Sequence, residues 1–127
     1  MALEVLSYKV DSDVVHQELP DRQSRDEVTI KTGAATVMEI GTVIAALTAD
    51  SKFVLLAPAA ATGAEVAAAV LLERVDATAA DQQAVVLCRV ATVVSQALIW
   101  PAGITAPQKA AAIVQLNAHE IVVRNGV

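Results

Sequence analysis

Aromatic side chains are nearly absent from this sequence: Tyr8, Phe53 and Trp100 are the whole complement. So few stacking platforms argue against a surface built to hold sugars. No basic patch interleaved with aromatics appears either, which argues against nucleic-acid binding. Cysteine is scarce too. Cys88 stands alone, so no disulfide forms within the chain, and a small, buried apolar residue is its expected role. The two histidines, His16 and His119, lie far apart in sequence and lack metal-ligand spacing. Asp76 and Asp81 bracket VDATAAD without the alternating oxygens of a calcium loop, and turn formation explains them better. None of the five serines sits in a nucleophile elbow, and no glycine-rich phosphate loop is present. The adjacent carboxylates Asp26 and Glu27 belong to a charged run and read as a solvated face rather than an acid–base pair. Long hydrophobic runs are missing as well. Residues 57–72 are broken by Pro58, Thr62, Gly63 and Glu65, short of the ~20 residues a membrane span requires. MALEVLSYKV carries Glu4 and no apolar stretch of signal-peptide length. These absences set the expectation of a soluble, non-enzymatic protein without metal or cofactor, made in the cytoplasm.

Alanine and valine are abundant. Of 127 residues, 26 are Ala and 20 are Val. The length fits one domain, and small side chains each bury less area than Leu or Phe would, so subunit contacts are expected to add stability. The chain is organised around residues 67–94. Two apolar runs, Ala67–Val75 and Ala84–Val94, flank the polar connection Asp76–Gln83. Both are short, rich in Val and Leu, and without a clear helical stripe, which predicts strands. In the second run Val85, Leu87, Arg89, Ala91 and Val93 share one face, and Val86, Cys88, Val90, Thr92 and Val94 the other. Both faces are largely apolar, so this strand is expected to be covered on both sides.

Net charge is −5 and uneven. Residues 1–27 hold seven acids and three bases, whereas residues 28–127 hold seven acids and six bases. The apolar anchors of residues 1–27 cluster at the start, and such a segment cannot easily offset its own ordering cost. The reading is an arm over 1–27 that orders on a partner, with a merely loose tail as the alternative, followed by a body over 28–127. In the body, VTIK, GTVIAAL and FVLLAP predict strands, with TADSK as a turn between the last two. Thr105 through Asn117 predicts the one helix: Thr105 and Gln108 have capping-box spacing and Pro107 falls in the first turn. HEIVVRNGV predicts a closing strand, with Ile121 and Val123 on one face and Val122 and Arg124 on the other. The fold class is therefore mostly β, with one short helix near the C-terminus and an extended N-terminal arm.

Two residues in the body invite functional readings. Lys52 sits in a predicted turn between strands, as does the modified lysine of lipoyl- or biotinyl-type carrier domains, although the surrounding residues are a poor match. Trp100, beside Pro101 in a loop, is either a core plug or an interface anchor.

Over roughly residues 28–127 the sequence resembles the head decoration protein family of lambda-like tailed bacteriophages. The resemblance rests on VTIKTG (28–33), GTVIAAL (41–47), GAEVAAAVLLERVDATAADQQAVVLCR (63–89), LIWP (98–101) before a Thr-started helix, and EIVVR (120–124), in that order and spacing. It implies a non-enzymatic virion protein with a β-rich fold of the β-clip kind and a minor helix. Members form homotrimers on the outer capsid surface at three-fold and quasi-three-fold positions, bind after the shell expands, and stabilise it. Their N-terminal segment adds a strand to the major capsid protein. Carried onto this sequence, the arm contacts would be Leu3, Val5, Leu6, Tyr8 and Val10, with Trp100 and Pro101 at a trimer or capsid interface. A free-standing oligomeric binding module, for instance for a surface carbohydrate, is the alternative, followed by the carrier domain on Lys52.

Overall fold

The computed structural model of the chain describes residues 10–32 and 37–125. These residues form ten strands in three sheets and one α-helix. The strands are β1 (Val15–Glu18), β2 (Arg25–Ile30), β3 (Val37–Met38), β4 (Val43–Ala46), β5 (Phe53–Leu55), β6 (Ala69–Leu71), β7 (Val75–Asp76), β8 (Gln82–Leu87), β9 (Ala91–Val94) and β10 (Ile121–Arg124). The helix α1 (Ala106–Ala118) lies between β9 and β10. The expected fold class, mostly β with a single helix near the C-terminus, is the one observed.

Side-chain alternation builds the centre. β2, β5, β4, β6 and β8 close into a five-stranded barrel in that order. β6 and β8 pair antiparallel, Val70 opposite Leu87 and Leu71 opposite Val86, as the two central runs predict. All five strands send residues to one cluster, among them Ile30, Phe53, Ile44, Leu71 and Val86, which fills the barrel. The intervening residues Val43, Ala45, Val70, Val85 and Leu87 face outward into a second cluster with Val93, Leu116 and Ile121. β4, β6 and β8 are thus apolar on both faces because both are covered. Buried alanines (Ala45, Ala67, Ala69, Ala84, Ala91 and Ala112) keep these layers close.

The outer layer is a three-stranded sheet, β1-β9-β10, together with α1. β1 runs antiparallel to β9, and β10 runs parallel to it. The parallel pairing needs a crossover, and α1 supplies it. Thr105 caps the helix as expected: its Oγ1 accepts from the Gln108 N–H at 3.2 Å, and Gln108 Oε1 accepts from the Thr105 N–H at 3.0 Å. Ala112 and Leu116 are buried beneath it.

Two expectations are corrected. The run Ala84–Val94 is not one strand. It breaks after Leu87, and Val90 takes the left-handed φ of 39° that turns the chain from the barrel into the outer sheet. The Val90 N–H donates to the His119 carbonyl at 3.2 Å, and its carbonyl accepts from Ser24 Oγ at 2.8 Å. These bonds hold a β-branched residue in a conformation it disfavours. Side-chain parity nonetheless survives the corner, since Val85, Leu87, Ala91 and Val93 all join the outer cluster. Secondly, the segment read as an arm to residue 27 is folded over its second half. Val14 and Ser24 are fully buried, β1 pairs with β9, and β2 enters the barrel at Arg25 opposite Leu87. Its polar residues misled because β1 and the start of β2 present them to solvent (His16, Gln17, Asp26 and Glu27 are exposed).

Candidate functional site

A compact ionic clasp joins Asp11 and Glu18 to Arg25. Arg25 Nη2 and Nε donate to Glu18 Oε1 and Oε2 at 2.6 and 2.8 Å, and Nη1 donates to Asp11 Oδ2 at 2.9 Å. The Arg25 side chain is only 15% exposed, and the Glu18 hydrogen bonds hold its pKa above the ordinary guanidinium value. Just upstream, the Val10 N–H donates to Asp13 Oδ2 at 2.8 Å, and the Val14 carbonyl accepts from the Val94 N–H at 2.8 Å. Val10 itself is half exposed. Of the five arm positions, Val10 is therefore placed at the threshold of the body, while Leu3, Val5, Leu6 and Tyr8 lie outside the described residues. β1, which follows them in the chain, is an edge strand of the outer sheet.

Trp100 and Pro101 are both partly buried. They line a shallow groove of ≈ 210 Å³ with Val37, Met38, Leu55 and Ile99, and Val37 and Ile99 are exposed. The Trp100 ring packs against the outer core, and Lys109 Nζ stands 5.7 Å from its centroid. Trp100 thus serves partly as a core plug and leaves a face on the groove. The exposed side of α1 was not singled out from the sequence. Pro107, Ala110, Ala111, Val114 and Ala118 form an uncharged face there, with Val114 69% exposed. The signal was in the alanine-rich run, which was read only for helix propensity.

The densest gathering of reactive groups is an open cleft of ≈ 610 Å³ bounded by Asp26, Cys88, Arg89, His119 and Glu120. Its chemistry is spent on structure. Arg89 pairs with Asp26 and holds that carboxyl below its usual range. Burial, and then the neighbouring Asp26, push the Cys88 thiol up to about 11, so at neutral pH it is a thiol rather than a nucleophilic thiolate. Lys52 is not at a hairpin tip. Its carbonyl accepts from the Leu47 N–H at 2.8 Å at the base of the turn, and its ammonium pairs with Asp81 at 2.7 Å. The hydrogen bond that Lys52 donates to Asp81 raises the Lys52 pKa, and the same bond lowers that of Asp81. Among the described residues no cluster of His, Cys, Asp and Glu could hold a metal ion, and no helix is long and apolar enough to cross a membrane.

The family model of bacteriophage lambda head decoration protein D matches residues 7–121. The chain belongs to this head decoration protein family. No curated protein matches it. The match begins upstream of β1 and ends at Ile121, the first residue of β10, so the clasp, the barrel, β1, β9 and the helix fall within the matched residues. A head decoration protein is a structural component of the phage head, not an enzyme, and the family implies a role on the capsid.

Proposed function

We propose that this chain decorates the outer surface of an expanded phage capsid as a homotrimer at three-fold and quasi-three-fold sites and stabilises the shell. The first ten residues pair with the major capsid protein as an added strand. The observation that carries this reading is the family match over residues 7–121. Two features of the chain support the manner of binding. Leu3, Val5, Leu6 and Tyr8 precede a body that is anchored from Asp11 onward by the Arg25 clasp. A strand supplied by such a segment gains main-chain hydrogen bonds from an open sheet edge on the partner and specificity from alternate side chains. Tyr8 offers the largest apolar area among these anchors. Three arms on one trimer make the second and third attachments intramolecular, which raises avidity without new contacts. If only the expanded lattice offers those edges, binding favours that lattice.

The exposed face of α1 and the Trp100 groove are the candidate surfaces for trimer or capsid contact. The core is rich in alanine, and both surfaces would lose apolar area from water on assembly. The test is binding to expanded shells by the full chain and by a chain lacking residues 1–9. Removing 1–27 would delete β1 and the start of β2 and report only unfolding. The shortened chain is expected to keep its circular dichroism and melting transition and to lose shell binding. Undiminished binding would refute the arm's role. Light scattering is expected to return three times the 13.2 kDa chain mass. A monomer at all concentrations would remove the preformed-avidity argument.

A further inference from the structure

Among the described residues seven large hydrophobic side chains stay exposed, and six of them fall into two patches. In the first patch, Val90 and Val122 line a groove on the outer sheet, and Val90 also borders the open cleft that reaches Ala118. Val114 and Val66 extend this surface. The Ala67 N–H donates to Gln115 Oε1 at 2.7 Å, which lays the loop carrying Val66 beside the residue that follows Val114 on α1. In the second patch, Val37 and Ile99 line the Trp100 groove. The seventh residue, Val10, belongs to neither. α1 keeps the two apart. Gln115 ties it to the first patch and Lys109 stands over Trp100 in the second. Six residues on a helix of about 3.6 per turn place these two ties about 120° apart around the axis.

The patches differ in shape and in charge. The second is a hollow, whereas the first presents Val114 on the ridge of a helix. Glu120 borders both the outer-sheet groove and the cleft, and its carboxylate meets no partner among the described residues. Arg89 and Asp26, in the same cleft, are spent on each other. Beside the second patch, the Lys109 ammonium meets only the Trp100 ring among the described residues. One patch thus carries an unpaired acid and the other an unpaired base. A two-fold dimer mates a patch with its own copy, but a closed ring of three mates two different patches head to tail.

We infer that the Val114 patch of each copy seats on the Trp100 groove of the next, with Glu120 of one copy meeting Lys109 of its neighbour. This pairing rests on the homotrimer reading above and assigns both surfaces to it. Three equivalent contacts close the ring and leave neither patch open. Burial of the valines supplies the driving force. The ion pair lies toward the rim, where opposite charges fix register and reject wrong alignments. Val10 stays outside both patches, so the ring leaves the root of the N-terminal segment uncovered.

The test uses the full chain, Lys109→Glu, Glu120→Lys and the double reversal, each checked for an unchanged melting transition. Sedimentation over a concentration series reads assembly. Exchange of labelled for unlabelled subunits reads the same contact where dilution leaves trimers intact. Each single reversal sets like charges face to face and is expected to weaken assembly about tenfold or more. The double reversal is expected to restore most of it. Trp100 is the one tryptophan, so its emission reports the groove directly, and it is expected to shift to longer wavelength as trimers dissociate. A trimer indifferent to both single reversals, or one whose Trp100 emission is the same assembled and dissociated, overturns the pairing and leaves the trimer reading standing. Trp100 emission that changes only when expanded shells are added assigns the groove to the capsid and also overturns it. A monomer at every concentration overturns the trimer reading itself, and the pairing with it.

Discussion

Gly63 and Gly103 both take left-handed φ values, 102° and 77°, yet replacing each by alanine should have very different effects. At Gly103 an added Cβ meets nothing within 4 Å. At Gly63 it would lie 2.6 Å from the Ala46 carbonyl oxygen, 2.7 Å from Thr48 Oγ1 and 2.8 Å from the Thr48 nitrogen. Two of these three atoms are backbone. They belong to the end of β4 and the turn after it, where the Thr48 N–H donates to the Thr62 carbonyl at 2.9 Å. An alanine forced into the left-handed region costs about 1–2 kcal/mol. Stiffening the unfolded chain returns roughly 0.4–1 kcal/mol of that. Gly103→Ala should therefore lose about 0–1.6 kcal/mol. Gly63→Ala carries the same penalty plus about 1–3 kcal/mol for pushing the loop off the β4 end, for a total of about 1–4.6 kcal/mol. Against a typical stability of roughly 5–15 kcal/mol, that is a large fraction. Urea unfolding of the two variants and the parent measures both, provided the denaturant slope is shared. Equal losses at the two sites would refute the claim that the loop around Gly63 is seated by close backbone contact.

Four other outcomes are expected. Leu116→Ala, at a fully buried position under the outer sheet, should cost about 2–5 kcal/mol in thermal or chemical unfolding. Val114→Ala on the exposed face of the same helix should leave the isolated chain within about 0.5 kcal/mol and lower the assembly constant measured by sedimentation. Arg25→Leu leaves the partly buried Glu18 carboxylate without its fork and should cost about 1–3 kcal/mol, a figure between those of exposed and fully buried pairs. Little or no loss would show that the clasp is not the anchor of β1. The Cys88 thiol is raised from an ordinary 9.0 to about 11 on folding. The unfolded chain then releases its proton first, so the contribution of Cys88 is complete below pH 9.0 and is lost as pH rises toward about 11. Stability curves for the parent and Cys88→Ala should diverge in that window, and parallel curves would contradict the assignment.

The central strands were legible in the sequence because the runs around residues 67–87 are short, rich in Val and Leu and without a helical stripe, whereas their closure into a barrel was not. The helix was legible from Thr105, Pro107 and Gln108, whose side chains and ring chemistry specify a start. The corner at Val90 was not. Neither glycine nor proline marks it, and its conformation is imposed from a distance by Ser24 and the His119 carbonyl. The extent of the arm was misjudged for a related reason. Asp11 and Glu18 look like solvating charge until Arg25 is brought to them across a turn, fourteen and seven residues away in sequence respectively. The uncharged face of α1 was visible only once Ala112 and Leu116 were known to point inward. Cys88, expected to be buried, is only partly buried at the rim of the open cleft, where burial and then its neighbour Asp26 make the thiol less acidic.

The direction in which β1 is laid down has a mechanical meaning. Its hydrogen bonds to β9 lie across the strand axis, and the segment before Asp11 leaves from the N-terminal end of that strand. A pull on that segment along the strand loads the β1–β9 bonds side by side, in shear, so that several must fail together. A pull perpendicular to the sheet would peel them one at a time. β9 in turn is bonded on its other side to β10, so the same load spreads across the whole outer sheet before it reaches the barrel. The anchorage should then be strong toward one direction of force and weak toward another, a property that single-molecule stretching from residue 1 with two attachment geometries would read as two distinct rupture forces.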